Sequence, residues 1–283
     1  MSEILKSERA ENVHIEKVFR EKNPKLARFI PGFVFRYLRK IVHENDVNYI
    51  LNTYGHLYDL DFIEANLNEF KITLETQGLE NINKSRKYIF ASNHPLGGFD
   101  GLILLKVLGE QMGKVKFLVN DILMNISNIR GLFIPINKHG RQVGDSIDQM
   151  DSAFRSGVQI LTFPSGYVSR KFNGQIMDLP WKKSFIMKAI KYQRDIVPVH
   201  FSGNNSRFFY RLARIRRFLG IKANLEMFYL VDETWNHKGK HLVLKFGEPI
   251  PWQTFDKSKK PDEWAKWVKE KAYALDGITN IPF

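Results

Sequence analysis

From about residue 71 onward, short apolar runs alternate with stretches whose apolar residues recur at helical spacing. This alternation narrows the possible folds more than any other feature of the chain. Phe70–Leu74, Tyr88–Ala91, Val115–Val119, Leu132–Ile136, Gln159–Phe163, Ile196–Phe201, Leu225–Val231 and His241–Phe246 read as strands. Gly101–Gly109, Gly144–Arg155, Phe185–Gln193, Arg207–Leu219 and Asp262–Ala274 read as helices. Strands alternating with helices imply an α/β fold, a mostly parallel mixed sheet flanked by helices. Such sheets bind their ligands beyond the carboxyl ends of the strands. The residues just after each run are therefore where chemistry is expected.

The first 70 residues have a different pattern. Phe33 to Tyr54 carries Val34, Leu38, Ile41, Ile50 and Tyr54 at roughly helical spacing, with Arg36, Arg39 and Lys40 between them. Asp59 to Asn68 reads as a further short helix. The expected organisation is an N-terminal helical region, 1–70, followed by an α/β domain, 71–283. Its amphipathic face either packs on the main domain or meets lipid.

Composition sets limits on partners. The chain has 283 residues, 43% of them hydrophobic, enough for one large domain or a domain with an appendage. There is no cysteine, so disulfides and thiolate metal sites are excluded. A net charge of +13 favours an anionic partner: nucleic acid, anionic lipid or a phosphorylated substrate. No apolar segment is long enough to span a bilayer, and the polar N-terminus resembles neither a signal nor a transit peptide. A protein of this kind that works on membranes lies on them.

Four strand ends carry groups with chemical potential. After Tyr88-Ile89-Phe90-Ala91 come Asn93 and His94, with Asp100 five intervening residues further on. A neutral imidazole removes a hydroxyl proton when a carboxylate holds its other nitrogen. Gly97 and Gly98 can turn the chain so that both side chains face one point. After Leu161-Thr162-Phe163 comes Pro164-Ser165-Gly166, then Ser169 and Arg170. That turn can offer N–H groups, and Arg170 a bidentate grip, to an anion. Ser165 lacks the flanking glycines of a nucleophile elbow. Leu132 to Ile136 runs into Lys138, His139 and Arg141, a basic loop able to hold a phosphate or simply to face solvent. In the fourth piece, Ile196-Val197-Pro198-Val199, the proline interrupts the ladder of an apolar strand.

In this order and spacing the four pieces resemble the glycerolipid acyltransferase family, the lysophosphatidate and glycerol-3-phosphate acyltransferases. That family has an Asn-His-x4-Asp block, a Gly…Ile-x-Arg block, a Phe-Pro-Glu-Gly-Thr-x-Ser block and a Val-Pro-Val block. The resemblance covers roughly residues 85 to 205. Three departures stand out. The His94–Asp100 gap holds five residues rather than four, Ser165 and Tyr167 replace the Glu and Thr of the third block, and Lys138 replaces the Arg of the second. The His-Pro-x-Gly-Gly-x-Asp and Phe-Pro-x-Gly-x-Val-Ser-Arg variants, with Pro31-Gly32-Phe33 to His43, look like the hemolysin-like bacterial branch. That branch includes acyltransferases that build ornithine and other amino-acid lipids.

The resemblance implies direct acyl transfer from an acyl-CoA or acyl-carrier-protein thioester to a lysolipid hydroxyl, of lysophosphatidate or lyso-amino-acid type. His94 acts as base and Asp100 orients it. N–H groups near Gly97-Gly98 or Ser165-Gly166 steady the oxyanion. Lys138, Arg141, Ser165, Gly166 and Arg170 line the acceptor's side. Neither metal nor cofactor is implied, and the expected location is peripheral, on the cytoplasmic face of a bacterial inner membrane. The run from Arg207 to Leu219, with Arg207, Arg211, Arg214, Arg216 and Arg217 among aromatics and leucines, suits an interfacial helix on anionic lipid. A solvated basic face over an ordinary core is the other reading of that run. Two further classes compete with the enzyme. One is a basic nucleic-acid-binding protein, for which no binding motif appears. The other is a catalytically silent lipid-binding scaffold, raised by Ser165. His139, His200, His237 and His241 read as loop or strand histidines.

Overall fold

In the computed structural model the described residues are 12–22, 24–119, 124, 126–136, 143–172, 174–221, 223–279 and 281. The N-terminal region is a chain of helices: α1 (Ile15–Lys22), α2 (Pro24–Phe29), α3 (Gly32–Ile41), α4 (Glu44–Tyr54) and α5 (Asp59–Phe70). The stretch expected as one helix over Phe33 to Tyr54 is two, because His43 takes a left-handed φ of 50° between α3 and α4. Then follow β1 (Thr73–Gln77), β2 (Tyr88–Ser92), α6 (Gly98–Met112), β3 (Val115–Val119), β4 (Phe133–Pro135), α7 (Val143–Arg155) and β5 (Gln159–Thr162). Next come the hairpin β6 (Arg170–Phe172) and β7 (Gln175–Met177), α8 (Ser184–Tyr192), β8 (Asp195–Phe201) and α9 (Arg207–Phe218). A 3₁₀ turn at Leu225–Tyr229 leads into α10 (Leu230–Trp235), β9 (His241–Phe246) and α11 (Pro261–Ala274).

Seven strands form one mixed sheet in the order β1-β9-β8-β2-β5-β3-β4. Every neighbouring pair is parallel except β8 with β9. The period-two alternation of the central strands sorts their side chains between two layers. Tyr88 and Phe90 of β2 enter a core with Leu104 and Leu108 of α6, and Ile89 and Ala91 enter one with Ile186 of α8 and Val268 of α11. Both faces are thus covered, as a parallel sheet requires. Ile50, Phe62, Ile63 and Leu67 of α4 and α5 belong to the first of these cores. Pro198 sits inside β8, paired with Ala91 of β2 on one side. On the other side the chain beyond β9 swings past it at Gly247, where an added Cβ would lie 2.9 Å from the proline ring. The missing N–H therefore falls where the neighbour is leaving the ladder.

Two further expectations are corrected. The run Leu225–Val231 is not a strand but the 3₁₀ turn and the start of α10. Its fully buried Glu226 is the reason. The carboxylate takes Arg170 at 3.0 Å and Arg216 at 2.7 Å, an arrangement that fixes this segment against α9 and β6. A buried charge is tolerated only when paired in this way. The expected strand Phe70–Leu74 is shifted, because α5 continues through Phe70 and β1 begins at Thr73.

Candidate active site

At the carboxyl end of β2 the chain leaves the sheet through Asn93, which is buried. Its amide donates to the Phe201 carbonyl at 3.0 Å and accepts from the Phe201 N–H at 2.7 Å. This pins the strand end to that of β8. His94 follows, and then Gly97 turns with φ 84° and ψ −141° into the first residue of α6. A side chain at Gly97 would also press on Leu230, at 3.1 Å. Glycine is required there by conformation and by space. The five-residue gap is accommodated by this turn.

Asp100 lies in the first turn of α6 and is wholly buried. Its carboxylate accepts from the Leu96 N–H at 2.9 Å, the Gly101 N–H at 2.9 Å and His94 Nδ1 at 3.0 Å. A helix N-terminus is a favourable place for a negative charge. With the proton on Nδ1 held by Asp100, His94 Nε2 is the free basic atom, and it makes no hydrogen bond among the described residues. The ring stacks on Phe163 at 4.0 Å and 18°, and its side chain is 16% exposed. His94 is therefore held by one edge and one face, with its second nitrogen unpartnered among the described residues.

A second carboxylate stands behind it. Asp178 is fully buried. It accepts from the His94 backbone N–H at 3.2 Å, Ser169 Oγ at 2.6 Å and Trp181 Nε1 at 2.8 Å. Its own N–H donates to Tyr273 Oη at 2.7 Å, and its carbonyl accepts from Lys269 Nζ at 2.8 Å. Burial raises the Asp178 carboxyl above the usual range and pushes the Tyr273 phenol up. Burial also lowers the Lys269 ammonium to about 8. The Ser169 N–H donates to the His94 carbonyl at 2.8 Å, closing a ring of contacts around the histidine backbone. Sequence reasoning missed this layer. Asp178, Lys269 and Tyr273 carry no spacing signal, since 84 residues separate His94 from Asp178.

The other expected residues divide. Ser165 and Gly166 form a tight turn after β5. Ser165 Oγ donates to the Tyr167 carbonyl at 2.7 Å, and the Gly166 N–H donates to the Phe163 carbonyl at 3.0 Å. That N–H is committed to the turn, which removes Gly166 as an oxyanion donor. Gly97 and Gly98, at the open N-terminus of α6, remain beside His94. Arg170 is not an anion grip. It is buried, donates to the Val168 carbonyl at 2.9 Å and pairs with Glu226. Arg216 is likewise buried on Glu226 rather than turned to lipid. Arg217 lies over the Phe172 ring at 5.6 Å. Arg207, Arg211 and Arg214 are exposed on one stripe of α9. Lys138, His139 and Arg141 lie outside the described residues. Among the described residues no cluster of metal-ligating side chains occurs.

An imidazole oriented by a buried carboxylate, with its other nitrogen unpartnered among the described residues, at the carboxyl end of a central strand of a mixed sheet, is the equipment of a general-base transferase. Residues 17–280 match the family described as Acyltransferase, and the chain belongs to that family. It is 48% identical over 264 residues to the lyso-glycine lipid O-acyltransferase of Bacteroides thetaiotaomicron, covering 93% of this chain and 97% of that one. It is 46% identical over 264 residues to the enzyme of the same name from Phocaeicola vulgatus, covering 93% and 95%. Among solved structures, the lysophosphatidate acyltransferase PlsC of Thermotoga maritima shows a looser likeness, with 19% identity, a TM-score of 0.45 and 93% and 97% of the two chains covered.

Proposed function

We propose that this acyltransferase moves a fatty acyl group from an acyl thioester to the free hydroxyl of a lyso-glycine lipid. The observation that carries the reading is the His94–Asp100 contact, set in a chain that shares nearly half its residues with two enzymes of that name over 93% of its length. The acceptor hydroxyl gives its proton to His94 Nε2 as its oxygen forms a bond to the thioester carbonyl carbon. The tetrahedral oxyanion then collapses and the carbon–sulfur bond breaks. The departing thiolate takes the proton back from the imidazolium, so ester and thiol are the products. Asp100 stabilises the imidazolium between the two proton transfers. The oxyanion is assigned to the N–H groups at the start of α6, Gly98 included, an effect worth about 3 kcal/mol per donor. The reading needs no metal or cofactor beyond the donor itself.

A surface suited to lipid supports the same reading. Phe29 and Phe33 are 82% and 70% exposed, and Phe218 and Leu219 are 88% and 61% exposed. Tyr37 of α3 hydrogen bonds Tyr229 at 2.6 Å, and Phe208 packs on the same tyrosine, so the N-terminal helices and α9 share one face. Exposed aromatic groups beside a basic helix suit attachment to an anionic bilayer. Among the described residues no helix is long and apolar enough to cross one. The proposed location is the cytoplasmic face of a bacterial inner membrane, with CoA or acyl carrier protein bringing the acyl group.

The test is incubation of the purified protein with a lyso-glycine lipid and an acyl-CoA or acyl carrier protein, read by mass spectrometry. A product heavier by one acyl group, absent with His94→Ala, is expected. An inert protein that still binds lipid would favour the scaffold reading. A gel shift with DNA or RNA without liposome binding would favour the nucleic-acid one.

A further inference from the structure

Next to the site runs a groove that the proton chemistry leaves unused. It lies between the β6–β7 hairpin and α9 and has a volume of about 870 Å³, within the range of small-molecule sites. Three arginines, Arg207, Arg211 and Arg214, line it from positions i, i+4 and i+7 of α9, so they share one helix face. Lys171 lines it from β6. All four are exposed, and among the described residues none has a carboxylate partner. The contrast is with Arg170 and Arg216, which spend their charge on Glu226.

At the floor is Asn205. It lines the groove and is only 5% exposed, and neither its Oδ1 nor its Nδ2 has a hydrogen-bond partner among the described residues. A buried amide with both ends unmet is costly unless a ligand completes it. Once the groove wall shifts to admit it, a phosphate ester would offer an acceptor to the Nδ2 and a neighbouring amide or hydroxyl a donor to the Oδ1. The groove also adjoins a second cavity. This cavity of about 330 Å³ shares Gly174, Ile176 and Asn204 with it and reaches Asn93 and Pro95, the two neighbours of His94.

Resting on the acyl-transfer reading above, we infer that this groove binds the phosphate end of the donor, the phosphate ester of a pantetheine thioester, carried as coenzyme A or on a carrier protein. A thioester donor must hold its carbonyl at His94 and its phosphate a pantetheine's length away. A glycine-headed acceptor brings a single carboxylate, and four cations without a carboxylate partner among the described residues exceed what one carboxylate needs. Exposed Phe218 lies within the arginine stripe and Ile215 about a quarter turn round from it, so an anionic bilayer is the competing ligand that the test separates. Arginine's planar fork suits a phosphate better than any other side chain.

Calorimetric titration of the full chain with phosphopantetheine and with pantetheine, which lacks the phosphate, tests this without turnover. The wild type is expected to bind phosphopantetheine at least about tenfold more tightly, as charge-assisted hydrogen bonds imply. The Arg211→Ala/Arg214→Ala double variant brings that ratio close to one, and the isosteric Asn205→Asp, which sets a negative charge on the floor, reduces it as well. In assays with coenzyme A thioesters the double variant raises the donor's KM rather than the acceptor's. Coenzyme A and a phosphopantetheine-loaded carrier protein, tested separately, tell the two donor sources apart. A wild type that does not distinguish the two probes overturns the inference. So does a double variant that keeps the ratio, one that loses only its binding to anionic phospholipid vesicles, or one that raises the acceptor's KM alone. Tight phosphopantetheine binding without acylation of any glycine-headed lipid would instead overturn the acceptor reading and leave the groove assigned.

Discussion

His94 and His200 stand at the same end of neighbouring strands, since Ser92 of β2 pairs with Val199 of β8. They have opposite fates. His94 has a buried carboxylate at 3.0 Å on Nδ1 and an open Nε2. His200 is buried with its Nδ1 unpartnered, 4.0 Å from Asp276. Burial lowers the His200 imidazole to about 4, with Asp276 opposing the shift and Lys245 adding to it. The lesson is that position at a strand end does not make a base. A partner that fixes the tautomer and stabilises the cation does, and of these two histidines His94 has one at hydrogen-bond distance.

That contrast is breakable at several points. The largest effect is expected from His94→Ala, which should lower single-turnover acyl transfer by about 10³-fold while leaving the circular dichroism unchanged. If His200→Phe produced that loss and His94→Ala did not, the assignment would be reversed. Asp100→Asn should cost about 10²-fold in kcat, because an amide facing Nδ1 favours the wrong tautomer and cannot stabilise the imidazolium. Retained activity in that variant would mean that Asp100 serves only to cap α6.

A smaller effect, about tenfold in kcat, is expected from Asp178→Asn, which weakens the hold on the His94 backbone without touching the imidazole. Its lost charge should also lower the Lys269 pKa further, which NMR titration of that ammonium would read. An unchanged kcat would show that the turn after β2 is held well enough by Asn93 and Asp100. The smallest change in activity should come from His200→Phe, within about threefold in kcat/KM, since the ring touches no reacting atom. Its signature is in stability. The folded His200 binds a proton near pH 4, whereas the unfolded one does so near 6.5. Between those values the unfolded state holds more protons, so the wild type should lose stability as pH falls from 6.5 to 4. Thermal melts of His200→Phe should be flatter over that window.

The legible parts of the molecule were those with a repeating pattern. β3 and β9 have the bounds that alternation predicts, and α7, α8, α9 and α11 fall within a residue of expectation, because a buried face imposes its period on the sequence. The hairpin β6–β7 was illegible, since strands of three residues are too short to show a period. The segment after Asn224 read as a strand because its side chains are apolar. The deciding residue, Glu226, reaches cations 56 and 10 residues away in the chain.

The same division holds at the site. His94 and Asp100 were visible because they are close in sequence and joined by a glycine that turns the chain, so local geometry was enough to bring them together. The chain also fixed by itself its basic charge and its family's motif blocks. Folding decided what no spacing records: that Asp178 backs the histidine, that Arg170 and Arg216 are consumed by Glu226 while Arg207, Arg211 and Arg214 have no carboxylate partner among the described residues, and that the buried Asn205 amide has no partner among them either. Those outcomes depend on which charges lose their water together. That is settled only when distant segments pack.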